Sequence, residues 1–272
     1  VVKTFETFRA VHGVSLDIKS GELVALLGPS GSGKTTILRM VAGLEFADGG
    51  QIHFGEENAT NIPVRDRGVG FVFQHYALFP HMTVAENIFI GHERRGAFGL
   101  VDHRQTRRDA VELLLRLGVD IDPDRRVVEL SVADQQMVEI AKAMVHKVKL
   151  LILDEPTAVI SGKEVELLFQ RLQALRADGV GIIYISHRLE EIFEICDRVT
   201  VLKDGQFVAS HPTAEVGRDR LVSLMVGRDM QELFPPKADP ATIGEVVLEA
   251  RGVAAAGRVR GASISLRAGE VT

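Results

Sequence analysis

Two kinds of apolar pattern alternate along this chain. Short unbroken runs, Leu23–Leu27 and Leu150–Leu153, carry no polar residue. A strand covered on both faces of its pleat, as in a parallel sheet, has this composition. Other apolar residues recur three and four apart. Ile37, Leu38 and Val41 do so within Thr35–Ala42, and Val165, Leu168, Leu172 and Leu175 do so after Ser161-Gly162-Lys163-Glu164. These stripes predict helices, the second opened by Ser and Glu at capping-box spacing and ended by Gly179. Val180–Ile185 predicts a third buried strand. Val14–Ile18 alternates apolar and polar and reads as a half-buried strand. Val199–Leu202 and Gln206–Ala209 flank Lys203-Asp204-Gly205, the pattern of a hairpin. Strand, helix and strand in this rhythm predict an α/β fold with a mainly parallel sheet and right-handed crossovers.

Two stretches break the rhythm. From about Thr83 to Val145 the chain reads as mostly helical, most clearly over Arg107–Leu117 and Gln135–Val145, which predicts a helical subdomain inserted in the α/β core. Pro235-Pro236-Lys237-Ala238-Asp239-Pro240 has linker composition. Beyond it, Gly261–Val271 repeats Gly13–Leu23 without a gap. The expected organisation is therefore a first domain over 1–234, a linker over 235–244, and the start of a second, similar domain over 245–272, truncated before its own glycine-rich loop.

Composition narrows the picture. With 272 residues and 46% hydrophobic content, a sizeable core can form. No apolar run nears the roughly 20 residues needed to cross a bilayer, and Val1–Phe5 carries neither an apolar leader nor a cleavage site. The missing initiator Met suggests a piece of a longer product. The net charge of −5 argues against nucleic acid as a partner. The basic cluster Arg94, Arg95, His103, Arg104, Arg107 and Arg108 reads as a solvated helix face with a nearby loop. The lone Cys196 cannot form an internal disulfide and fits a reducing, cytosolic setting.

The chemistry concentrates in two motifs. Gly28-Pro29-Ser30-Gly31-Ser32-Gly33-Lys34-Thr35, followed by Thr36, satisfies G-x-x-x-x-G-K-S/T between a buried strand and a helix. Backbone N–H groups of such a loop converge on phosphate oxygens, and glycines let the backbone come close. Lys34 would neutralise β- and γ-phosphates, and the Thr35 hydroxyl would ligate Mg²⁺. The second motif is Leu150–Asp154 followed by Glu155, Pro156 and Thr157, an apolar strand ending in two acids where α/β sheets bind ligands. Asp154 can hold Mg²⁺ directly or through water, and Glu155 is placed as a general base for a water. No His/Cys/Asp cluster has zinc spacing.

With these motifs the chain resembles ABC transporter ATP-binding subunits along nearly its whole length. The resemblance implies a P-loop NTPase core with an antiparallel β subdomain and a helical insertion. It implies that Phe5 stacks on adenine, that Gln74 senses Mg²⁺ and the attacking water, and that His187 contacts the γ-phosphate. It places Leu130-Ser131-Val132-Ala133-Asp134-Gln135 at the LSGGQ-type signature, where Ser131 and Ala133 would cap ATP held by an opposite domain, and Thr157–Ser161 at the D-loop. Val132 and Ala133 stand where the pattern has two glycines, and Ile160-Ser161 stands for Leu-Asp. These departures leave ATP binding intact and bear on the hydrolysis rate.

LSVADQQMVEIAKA, GIIYISHRLEEIFEICDRVTVLKDGQFV and GHERRGAFGLVD resemble monosaccharide importer ATPases. GELVALLGPSGSGKTTILRMVAGL and RDRGVGFVFQHYALFPHMTVAENI are more similar to sulfate-, polyamine- or maltose-type ones. The implied partners are transmembrane permease subunits reached through Tyr76–Met82, a second ABC domain and, indirectly, an extracytoplasmic solute-binding protein. The implied location is the cytoplasmic face of the inner membrane. A soluble ATPase acting on DNA or ribosomes would carry a long coiled-coil insertion or a long charged linker. The expected function is ATP hydrolysis that drives uptake of a small solute, a monosaccharide; the alternatives are the ATPase of a sulfate/polyamine-type importer and a nucleotide-binding module with little hydrolysis.

Overall fold

In the computed structural model, residues 1–73, 77–96, 99–160, 162–227, 243–255 and 259–269 are described. The chain divides into two compact units, Val1–Val226 and Gly227–Thr272. The first is built on a six-stranded sheet. In chain order its strands are β3 (Leu23–Leu27), β6 (Val69–Val72), β7 (Leu150–Asp154), β8 (Gly181–Ile185), β9 (Arg198–Lys203) and β10 (Gln206–Pro212). In space they run β10-β9-β3-β8-β7-β6. Every neighbouring pair is parallel except the edge pair β9–β10.

The unbroken apolar runs follow from this placement. Leu23, Ala25, Leu27, Leu151, Leu153, Ile182 and Tyr184 join one core cluster, while Leu26, Leu150, Ile152, Ile183 and Ile185 join another. Alternate residues of each strand thus enter opposite faces, and both faces are dry. One face carries α2 (Val84–Phe89), α3 (His103–Arg116), α4 (Val132–Ala143), α5 (Gly162–Ala177) and α6 (Leu189–Ile195), through residues such as Ile88, Leu114, Val138, Leu172 and Ile192. The other carries α1 (Lys34–Ala42), through Ile37, Leu38 and Met40. Two short strands, β1 (Val2–Phe5) and β2 (Phe8–His12), form a separate antiparallel hairpin, and β4 (His53–Phe54) pairs with β5 (Glu57–Asn58). The last helix of the unit is α7 (Arg218–Val226).

Between β6 and β7 lie α2, α3 and α4, whose starts are chemically capped. Thr83 and Glu86 form a reciprocal capping box on α2, Asp102 accepts from Gln105 N–H on α3, and Ser131 accepts from Asp134 N–H on α4. Within the basic cluster of this region, Arg94 meets Asp109 and Arg107 meets Asp124. Among the described residues no helix is long and apolar enough to cross a membrane. The turn joining β9 to β10 places Asp204 and Gly205 at φ 48° and 72°, the pair of left-handed residues that a tight hairpin requires. Ser161, expected to cap α5, lies outside the described residues.

One expected strand is absent. Val14, Leu16 and Ile18 do turn inward onto the second core, yet residues 14–19 pair with no strand among the described residues. Alternation sets which side chains are buried; a strand also needs a neighbour for its N–H and C=O groups. The second unit makes the contrast. There β11 (Val246–Ala255) pairs with β12 (Val259–Arg267), and Gly261–Arg267, the counterpart of Gly13–Lys19, lies within the paired strand β12.

Helix α1 is fixed from behind by Arg67, a nearly fully buried side chain. Its guanidinium donates to the carbonyls of Met40 at 2.6 Å and Val41 at 3.0 Å, and to those of Ile62 at 2.6 Å and Thr60 at 2.8 Å. It thereby adds a second donor to the Met40 carbonyl, which also accepts from Gly43 N–H at 3.1 Å, and serves the Val41 carbonyl at the end of α1. Gly43, the left-handed C-cap at φ 79°, admits it, since a Cβ there would sit 2.6 Å from Arg67 Nε. Arg67→Met should cost about 3 kcal/mol in a urea melt by stranding these buried acceptors. A loss below about 0.5 kcal/mol would show that water replaces the guanidinium.

Candidate functional site

Parallel strands bring distant residues together at one edge of the sheet. Ala25 lies opposite Tyr184, and Asp154 lies opposite Ile185. The segments leaving β3, β7 and β8 therefore emerge side by side, and they carry the loop Gly28–Gly33, the acids Asp154 and Glu155, and Ser186-His187.

The loop is shaped by close backbone approaches. Gly28, Gly31 and Gly33 have φ of 150°, 78° and 91°. A Cβ at Gly28 would overlap the Leu202 carbonyl oxygen, and one at Gly33 would lie 2.9 Å from the Ala10 carbonyl oxygen. At Gly31 a Cβ would meet nothing within 4 Å, so that glycine serves its dihedral alone. Gly205 N–H donates to the Ser32 carbonyl at 3.2 Å, so the β9–β10 turn supports the loop from below. Pro29, Ser30, Gly31 and Thr35 are exposed, Thr36 is half-buried and Ser32 is buried. Helix α1 starts at Lys34 with Gly33 as its cap and no side chain capping its first turn, which leaves its positive end facing the concavity.

Lys34 Nζ donates to the carbonyls of Gly28 at 2.7 Å and Pro29 at 2.9 Å and to Ser32 Oγ at 3.2 Å. Burial pushes its ammonium below the ordinary lysine value, and the charges of Asp154 and Glu155 work against that. Burial raises the Asp154 carboxyl, the neighbouring Glu155 charge raises it further, and Lys34 draws it back. Glu155 holds a left-handed backbone at φ 50° with its N–H bonded to the Ile185 carbonyl at 2.9 Å. Its Oε2 is 3.5 Å from His187 Nδ1, with the imidazole mostly exposed. The fold thus joins Lys34, Asp154, Glu155 and His187 into one electrostatic unit.

The other expected residues stand apart from it. Phe5 is exposed in the β1–β2 hairpin, its ring 5.2 Å from Lys3 Nζ. Ser131 is exposed and its hydroxyl donates to the Asp134 carboxylate at 2.8 Å. Ala133 packs against the helical core. Among the described residues none of Ser131's hydrogen bonds reaches the phosphate loop. Gln74 and Tyr76 lie outside the described residues. The chain immediately after them meets α4, where Lys142 Nζ donates to the Ala77 carbonyl at 2.7 Å.

A protein family described as ABC transporter matches residues 11–158, more than half of the chain. The chain belongs to the ABC transporter family. A ribose import ATP-binding protein of Streptomyces avermitilis is 43% identical over the full chain and 54% of its own length. A putative ribose/galactose/methyl galactoside import ATP-binding protein of Burkholderia lata is 42% identical over the full chain and 52% of its own length. The chain therefore spans about half the length of the curated relatives it matches. Among solved structures, a nucleotide-free ATP-binding cassette of an ABC transporter aligns with a TM-score of 0.72 and 26% identity, covering 86% of this chain and 94% of that one. A dimeric cassette in a post-hydrolysis state with ADP and Pi aligns with a TM-score of 0.66 and 29% identity, over 78% of this chain and 96% of that one. The α/β sheet and P-loop arrangement described above are those of an ABC ATPase cassette.

Sequence reasoning passed over two parts of this ABC site. The supports under the loop are backbone atoms of Ala10, Leu202 and Gly205, which leave no side-chain signature. Glu191, in α6, bonds to Thr157 and Ser186 in the loops that carry Glu155 and His187, although an acid in the first turn of a helix reads as a surface charge. The crowding at Gly28 makes a direct prediction. Gly28→Ala should abolish binding of a fluorescent ATP analogue and lower the melting temperature, whereas Gly31→Ala, strained only in its backbone, should keep the fold and lose affinity by a smaller factor. Equal binding by Gly28→Ala and the parent chain would refute the cradle.

Proposed function

We propose that this chain is the ATP-binding and ATP-hydrolysing part of an ABC importer that drives uptake of a small solute, most simply a monosaccharide. The observation that carries it is the meeting of Lys34, Asp154, Glu155 and His187 at the sheet edge beside an anion-receptive loop. Relatives named for ribose and for ribose/galactose/methyl galactoside import, matched over the full chain, support the sugar.

Gly28–Thr36 wrap the triphosphate, with Lys34 exchanging its carbonyl partners for β- and γ-phosphate oxygens. Thr35 Oγ1 and the Asp154 carboxylate, hard oxygen donors on adjacent segments, suit Mg²⁺, with Gln74 assigned as a further ligand. When bound there, the metal would neutralise charge on the phosphate oxygens. Glu155 takes the proton of the attacking water as the new P–O bond forms and the bond to the bridging oxygen breaks; His187 orients Glu155 and the γ-phosphate side, and Gln74 aligns the water. Phe5 offers its exposed ring to adenine. Ser131 and Ala133 are assigned to the ATP held by a second ABC domain, so that two domains close on two nucleotides and part after hydrolysis. The repeat over 245–272, after a linker over 235–244, supports a second domain in the same polypeptide. The partners are permease subunits and, through them, a solute-binding protein, at the cytoplasmic face of the membrane.

Purified protein should hydrolyse MgATP, and Glu155→Gln should bind it while turning over about 100-fold more slowly. A parent chain that binds MgATP without turnover, even with its membrane partner, would leave only a nucleotide-binding module. A second expectation concerns pH. Because burial raises the Asp154 carboxyl, its metal-binding anion is lost at a higher pH than the usual Asp value of about 3.9. Mg²⁺-dependent affinity for ATP should accordingly weaken as pH falls through the range above that value. Asp154→Asn should have weak affinity throughout and no such dependence in a calorimetric titration.

A further inference from the structure

A single buried carboxylate connects the two loops that supply Glu155 and His187. Glu191 is the third residue of α6 and nearly inaccessible to solvent. Its Oε2 accepts from three hydroxyls: Thr157 Oγ1 at 2.8 Å, Tyr184 OH at 2.9 Å and Ser186 Oγ at 2.8 Å. Its Oε1 accepts from Arg188 Nη1 at 2.9 Å. Thr157 and Ser186 are themselves buried. Thr157 follows Glu155 by two residues, with Pro156, locked in φ, between them. Ser186 precedes His187, and its Oγ also accepts the Arg188 N–H at 3.0 Å.

We propose that Glu191 is a positioning residue for hydrolysis: its carboxylate clamps the loop after β7 to the loop after β8 and so holds Glu155 and His187 in mutual register. This rests on the reading of those two residues as the hydrolytic pair. Docking of α6 does not require this carboxylate, because Ile192 and Ile195 already bury the helix against the core. The partners of Glu191 lie instead in the strand and loops of the site. Three hydroxyl donors on one oxygen, with a guanidinium on the other, call for an anion that accepts everywhere. An amide in its place either sets an NH₂ against the Arg188 guanidinium, donor to donor, or turns it onto the hydroxyls, which must then rotate to accept and lose the oxygen they share. The left-handed backbone of Glu155 needs such bracing, since a non-glycine residue holds φ 50° only when its surroundings impose it.

The test compares Glu191→Gln with the parent chain in two readouts. Turnover should fall by about tenfold to 100-fold, while KM for MgATP changes by less than about threefold. Exchange of the Ala158 and Arg188 amides, bonded to the Glu155 carbonyl and Ser186 Oγ, should accelerate about tenfold, with the Ile182 amide in the sheet unchanged. Thr157→Val, which keeps the carboxylate and removes one strut, should show the same pattern at smaller amplitude and serves if Glu191→Gln fails to fold. Unchanged exchange at Ala158 and Arg188 in the folded variant overturns the clamp, whether or not the protein hydrolyses ATP. So does acceleration spread evenly across the chain, which marks a merely structural role. A parent chain without turnover overturns the functional reading and leaves the exchange result to decide the clamp.

Discussion

The hydrogen-bonded register of β3, β8 and β7 is the constraint on which this molecule depends. Parallel strands end at the same edge, so three segments far apart in sequence leave the sheet as neighbours. The sheet register brings the phosphate-type loop, the acid pair and the histidine to one end of the sheet. The Tyr184 strand, which leads to the histidine, lies between the other two in the sheet. Both faces of the sheet are sealed by apolar side chains, which keeps this edge as the place where charge gathers.

Much of this was legible in the amino-acid sequence because the informative residues are contiguous. An apolar run followed by a glycine loop and lysine carries its own context, and so does an apolar run followed by two acids. The alternation of Val14–Ile18 was legible only in part. It told which side chains turn inward, and they do, but strand identity depends on a partner whose position no local pattern encodes. The same pattern lies in a ladder over Gly261–Arg267, where β11 runs alongside. Glu191 was illegible for a different reason: an acid in the first turn of a helix suits the helix dipole, and nothing nearby in sequence tells that its partners are Thr157 and Tyr184.

The helical insertion also meets the chain at Ala77. Its carbonyl is held by Lys142 of α4. Burial raises the Glu139 carboxyl, and its Oε1 has no hydrogen-bond partner among the described residues. Val132, exposed in place of a glycine, stiffens the start of α4.

The three-point hold of Lys34 on Gly28, Pro29 and Ser32 has a thermodynamic consequence. The lysine acts as a resident cation that already draws the loop carbonyls together. On the proposed reading, an incoming phosphate would enter by ligand exchange, trading neutral acceptors for anionic ones, instead of ordering a slack chain. Association of that kind loses little conformational entropy and leans on charge, so its strength should track ionic strength more than temperature.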